Sequence, residues 1–162
     1  MGTGSALYRI VLLLHILAAI VGFGGVITHG FYNAKAFRSI SRTAGELVAA
    51  TRNASKIAEY AIYAVLPLGI VLVAVSDKVY SMGDPWVSAS FLVWILMVGA
   101  LHGAVRPAVK TLAERAGAIS ADTRLDTDAA ALTASKKLMI GESATQVLVV
   151  IAIILMIWKP GS

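Results

Sequence analysis

Four long apolar stretches constrain this chain more than any other feature: Ile10–Thr28, Ala61–Val75, Trp86–Val105 and Leu138–Trp158. Each reaches or nearly reaches the ~20 residues an α-helix needs to cross a hydrocarbon core of about 30 Å. The second is the shortest, and Ala58 and Tyr60 extend it. Composition agrees: 58% of the 162 residues are hydrophobic and 14% charged, against about half and a quarter in soluble domains. The sequence predicts an all-α protein, a transmembrane four-helix bundle forming a single domain over residues 1–162. Arg9 precedes the first stretch, but the run is too long for the 7–15-residue core of a signal peptide and reads as a retained helix. With no cysteine in the chain, disulfides, thiolate metal sites and iron–sulfur clusters are excluded.

The net charge of +5 would suggest nucleic acid in a soluble protein; here its distribution matters more, and the natural partner is the lipid bilayer. Lys35, Arg38, Arg42, Arg52 and Lys56 follow the first stretch, and Arg106, Lys110, Arg115, Arg124, Lys136 and Lys137 follow the third. These are eleven of the fourteen basic residues. Positive loops stay in the cytoplasm, so both termini are expected outside the cytoplasm. The helices would extend beyond the bilayer on the cytoplasmic side. Thr43-Ala-Gly-Glu46 has the capping-box pattern, placing the start of the second helix near residue 44 and its end near Ser76. Asp84-Pro85 supplies an N-cap and a first-turn proline for the third helix. Pro67 and Pro107 are expected to bend the second and third helices. The fourth helix is expected from about Thr127 to Trp158, with Ile119–Asp128 as the preceding loop.

The residues that could carry chemistry begin with a stripe on the first stretch: His15, Gly22 and His29, spaced seven and seven. Fourteen residues at 100° each bring the two imidazoles within about 40° on one face, roughly 21 Å apart along the axis. Ionisable side chains inside a bilayer are costly and often functional. His29, His102 and Glu142 lie a few residues from the basic segments, at similar depth. Glu59, Tyr63 and Gln146 join them, so all four helices bring a polar group to one zone.

Three uses of that zone follow. His29 and His102 could ligate one b-type haem axially, with Gly22 leaving room for the macrocycle and Arg106 placed for the propionates. The fourteen-residue spacing resembles the haem-bearing helices of cytochrome b. The position level with His15 on the third helix is near Ser88, which leaves His15 a spare, a single ligand or a dimer ligand. Alternatively His15, His29, His102 and Glu142 could handle copper or iron, with Met156 level with His15. Glu59 and Glu142 with the histidines could also relay protons. Structural readings stand beside these: a small-residue stripe is a common helix-packing face, His15 a packing residue, His29 a group reaching interfacial water or a backbone carbonyl, and Glu142 an acid satisfied by Lys137 or Lys110. A non-enzymatic accessory subunit, in a homo-oligomer or a larger membrane assembly, is the corresponding role. No residue pattern here specifies a reaction.

The run Leu13-Leu14-His15-Ile16-Leu17-Ala18-Ala19, followed by Gly22, Gly24 and Gly25, resembles the opening helix of small bacterial integral membrane proteins. These include an uncharacterised four-helix family and the membrane domains of copper-resistance permeases. It is more distantly similar to the haem-associated bacterial protoporphyrinogen oxidase. The resemblance implies an inner-membrane bundle in which His15 serves as a ligand.

Overall fold

The structure, a computed structural model, describes residues 2–161. Four helices are each long and apolar enough to cross a membrane: α1 (Ala6–Phe37), α2 (Ser41–Ala74), α3 (Pro85–Ala118) and α4 (Ala129–Trp158). At 1.5 Å per residue, the 34 residues of α2 reach about 50 Å, well beyond a hydrocarbon core. The helices alternate in direction. An isolated antiparallel bridge joins Ile40 to Arg124, so the α1–α2 and α3–α4 connections share one end, the basic end. At the opposite end Lys159 Nζ donates to Tyr80 Oη at 2.5 Å, and Gly161 packs on Pro85. Gly2 lies beside Asp77, so both ends of the described chain lie with the α2–α3 connection.

Helix starts show which local signals are used. Ser5 caps α1 by accepting from the Tyr8 amide at 3.2 Å. Asp128 caps α4, accepting from the Ala131 amide at 2.9 Å and taking a two-armed bond from Arg115. That hydrogen bonding, Arg115 foremost, holds the Asp128 carboxyl below its usual range. Asp84 precedes Pro85 as expected, but its carboxylate closes the preceding turn by accepting from the Ser81 amide at 2.9 Å.

The expected capping box at Thr43–Glu46 is not used. Helix α2 starts at Ser41 with Ile40 as its extended N-cap, and its first amides find backbone partners in the α3–α4 connection. Ser41 N donates to Thr123 O at 2.9 Å and Arg42 N to Ala121 O at 3.1 Å. The Ser41 hydroxyl donates to Ala116 O. A helix start needs its exposed amides satisfied; here another loop does so, and Thr43 and Glu46 lie inside the helix.

The irregularity in α3 is a π-helical turn, Leu101–Val105, immediately before Pro107. Pro107 has no N–H for the Gly103 carbonyl, and the widened turn, with Arg106 N bonding Leu101 O, carries the chain past it. Gly141 of α4 lets this turn approach: a Cβ there would stand 2.8 Å from Ala104 Cβ and 3.0 Å from Val105 Cγ2. Helix α2 continues through Pro67.

The core has two parts. Near the basic end Ala36, Ala44, Ala108, Leu112, Leu125 and Ala131 pack together, small side chains drawing the helices close. Further along, Ile62, Val93, Met97, Val149 and Ala152 form the apolar centre. The outward faces are also apolar: Ile20, Leu92, Ile95, Val147 and Ile157 are all exposed. In water such a surface would aggregate; in lipid it is the solvated face of a bundle.

Candidate functional site

The His15–Gly22–His29 stripe faces α2. Gly22 sits on Ile62, where a Cβ would stand 2.8 Å from Ile62 Cγ1 and 3.0 Å from its backbone nitrogen. Gly25 sits on Ala58 in the same way. His15 is 92% buried by area, since 8% of it is exposed, and its ring lies against Gly69. His29 turns toward the backbone of Thr51. These pairs run in opposite order along the two helices, as an antiparallel seam requires. Seven-residue spacing is the repeat at which two gently supercoiled helices keep one face together, and small residues drive such packing in membranes. Gly22 is therefore a packing glycine whose open side is filled by Ile62.

The α2–α3 seam is different. Its two faces carry Arg52, Lys56, Glu59 and Tyr63 on α2 and His102, Arg106 and Lys110 on α3, each set at three- and four-residue steps along one helix face. Tyr63 Oη donates to Glu59 Oε1 and lies 2.5 Å from His102 Nε2. Arg106 Nη1 lies 3.2 Å from His102 Nδ1 and 3.3 Å from Glu59 Oε1. An arginine N–H can only donate, so Nδ1 accepts and Nε2 carries the ring hydrogen. Nε2 then donates to Tyr63 Oη, whose own hydrogen goes to Glu59. The four side chains close a ring in which each donor has an acceptor. The Tyr63 and His102 rings are near-parallel, 22° apart with centroids at 6.1 Å. Higher up, Trp94 Nε1 reaches across to Ile62 O at 2.9 Å.

Long side chains thus span the α2–α3 seam, and a cleft of about 470 Å³ opens beside them. Its apolar walls include Val48, Leu101, Val105 and Val109, and its cations are Arg52, Lys56, Arg106 and Lys110. His29, Asn33, Glu142 and Thr145 reach it from α1 and α4. Asn33 Nδ2 donates to Glu142 Oε1 at 2.8 Å. Glu142 is thus satisfied by an amide rather than by Lys137 or Lys110. Its other oxygen sits beside Gly30, where a Cβ would stand 3.4 Å from Oε2.

The sequence-derived site residues therefore divide. His29, Arg106 and Glu142 border the cleft; His102 stands in the ring beside it; His15 and Gly22 lie in the α1–α2 seam. Of the two histidines expected to ligate haem, His102 has both ring nitrogens facing Tyr63 and Arg106, while His29 is directed toward α2. The expected metal set does not converge: among the described residues no three His, Cys, Asp or Glu side chains group to hold an ion. Asn33, Arg52, Lys56 and Lys110 are the cleft residues that sequence reasoning passed over as a site. The signal available was helical spacing: Asn33 lies one turn after His29, and Lys110 one turn after Arg106.

Comparison with known proteins gives one result. A family described as predicted integral membrane protein (DUF2269) matches residues 9–160. No curated protein matches, and no solved structure matches. The copper-resistance and protoporphyrinogen-oxidase resemblances gain no support from these comparisons. Nearly the whole chain lies within the match, and the protein belongs to the DUF2269 family of integral membrane proteins.

Proposed function

We propose that this protein binds an anionic amphiphile carrying a phosphate headgroup, in the α2–α3 cleft, at the cytoplasmic face of a bacterial inner membrane. The orientation rests on the concentration of basic residues at the end holding the α1–α2 and α3–α4 connections, with both termini outside. The observation that carries the reading is the cleft itself: apolar walls with four Arg and Lys residues along a cavity of about 470 Å³. That size suits a small ligand, and the guanidinium forks suit phosphate. Membrane-surface arginines and lysines attract anionic headgroups generally; an apolar-walled cleft beside them adds a place for the tail. An accessory subunit built only on helix packing would have this seam closed, as the α1–α2 seam is.

The test uses the full chain in phosphatidylcholine nanodiscs, titrated with dioctanoyl phosphatidic acid, with dioctanoylglycerol and inorganic phosphate as comparisons. Phosphatidic acid is expected to bind most tightly, because it alone has both headgroup and tail. A variant with Arg52, Lys56, Arg106 and Lys110 all changed to Gln is expected to lose that preference. Equal binding of phosphatidic acid by the variant would overturn the reading. A b-type haem band in the reduced-minus-oxidised spectrum, lost in His29→Ala, would also overturn it.

A further inference from the structure

We infer that Glu59 is a tethered competitor for the phosphate site: its carboxylate holds Arg106, the cation an incoming headgroup needs, and yields it when the ligand binds. This inference rests on the cleft being a phosphate-amphiphile site. The geometry is specific. Arg106 Nη1 is shared between Glu59 Oε1 at 3.3 Å and His102 Nδ1 at 3.2 Å. A two-armed bond to phosphate takes two parallel N–H groups of the guanidinium, and Nη1, one of the pair at its Nη1–Nη2 end, is already engaged. Glu59 is the better enclosed partner, its side chain 16% exposed against 54% for Arg106. Its carboxylate is also aimed, since Tyr63 Oη donates to the oxygen that faces Arg106. Tyr63 and His102 are therefore positioning residues, and the π turn (Leu101–Val105) carries His102 in register with α2. The Glu59–Arg106 pair also ties the two walls of the cleft together. Displacing it would admit the headgroup and release α2 from α3 at one point.

The test measures the dissociation constant of dioctanoyl phosphatidic acid for the wild-type chain and for Glu59→Gln in phosphatidylcholine nanodiscs. Glutamine keeps the shape and can still accept from Tyr63, but it no longer neutralises Arg106. Binding is expected to tighten roughly two- to fivefold, the fold-change a half-exposed ion pair is worth. Tyr63→Phe, which frees the carboxylate from its positioning bond, is expected to tighten binding by less. Glu46→Gln separates competition from net charge, because Glu46 is exposed on α2 and does not line the cleft; it is expected to change binding less than Glu59→Gln. Unchanged or weaker binding by Glu59→Gln, with phosphatidic acid still preferred over dioctanoylglycerol, would overturn the competitor role and leave the site standing. Equal tightening by Glu46→Gln would overturn it too. Absence of any headgroup preference in every variant would instead overturn the site.

Discussion

The two seams that α2 makes with its neighbours are built from opposite materials. Toward α1 it meets glycines, and the backbones approach until a single Cβ would collide: Gly22 on Ile62, Gly25 on Ala58. Toward α3 it meets arginine, histidine and tryptophan, and side chains rather than backbones bridge the distance. One seam brings backbones into contact; beside the other opens a cleft of about 470 Å³, whose lining reaches α1 and α4 as well. In lipid, water does not drive helices together, so residue size sets how close they come. A polar network, once its donors and acceptors are matched, can hold them apart at a fixed distance.

Breaking the closed seam should have the largest effect. Gly25→Leu is expected to destabilise the bundle by about 1–3 kcal/mol or more, as overpacking does, while Gly24→Leu, whose Cβ would meet nothing within 4 Å, should be tolerated. Unfolding by sodium dodecyl sulfate titrated into mixed micelles, followed by circular dichroism, distinguishes the neighbours. Next comes the floor of the open seam. Asn33→Leu removes the donor that holds Glu142 and should cost about 1–3 kcal/mol, the penalty of an enclosed polar group left unmade. Asn33→Leu combined with Glu142→Met should recover part of that loss in the same titration. Trp94→Phe keeps most of the ring's packing but loses the bond to Ile62 O. It should cost about 0.5–1.5 kcal/mol, and intrinsic fluorescence would report the unfolding midpoint.

The smallest effect should lie outside the membrane, at Asp128. Its carboxyl is held below the usual range by Arg115 and by the Ala131 amide, so the folded state binds its proton less readily than the unfolded one. Its contribution is present above the unfolded value, about 3.9, and is lost as pH falls through the lower folded value. Melting temperature measured from pH 6 downward should fall in that acid range, and Asp128→Asn should flatten this part of the profile.

How much of this was legible in the sequence differs by element. The spans and the alternating bundle were legible because hydropathy and charge are read locally. Asp84-Pro85 and the start of α4 near Thr127 were legible for the same reason. The capping box was misleading because the amides at the α2 start are satisfied by residues 121 and 123, some eighty positions away in sequence. The histidine–glycine stripe was visible, but its meaning depended on what faced it. Seven-residue spacing serves a cofactor helix and a packed helix equally well, and the contact of Gly22 with Ile62 is absent from the local pattern. Arg52 and Lys56 looked like topology signals because their convergence with Arg106 and Lys110 exists only once α2 and α3 are set side by side. Glu59 and Tyr63 were recognisable as polar groups at the right depth, and Pro107 announced an irregularity in α3, but that it takes the form of a π turn setting His102 against Tyr63 depends on the neighbouring helices.

The contrast between the seams is tested most directly by cysteine accessibility, since the chain has no cysteine of its own. Ser55→Cys places a thiol on the cleft wall, and Val65→Cys places one at a buried position of α2 away from it. A charged methanethiosulfonate reagent should label position 55 rapidly and position 65 slowly. Dioctanoyl phosphatidic acid should protect position 55, and dioctanoylglycerol should not. Equal labelling of both positions, or equal protection by the two lipids, would contradict an open anion-binding cleft between α2 and α3.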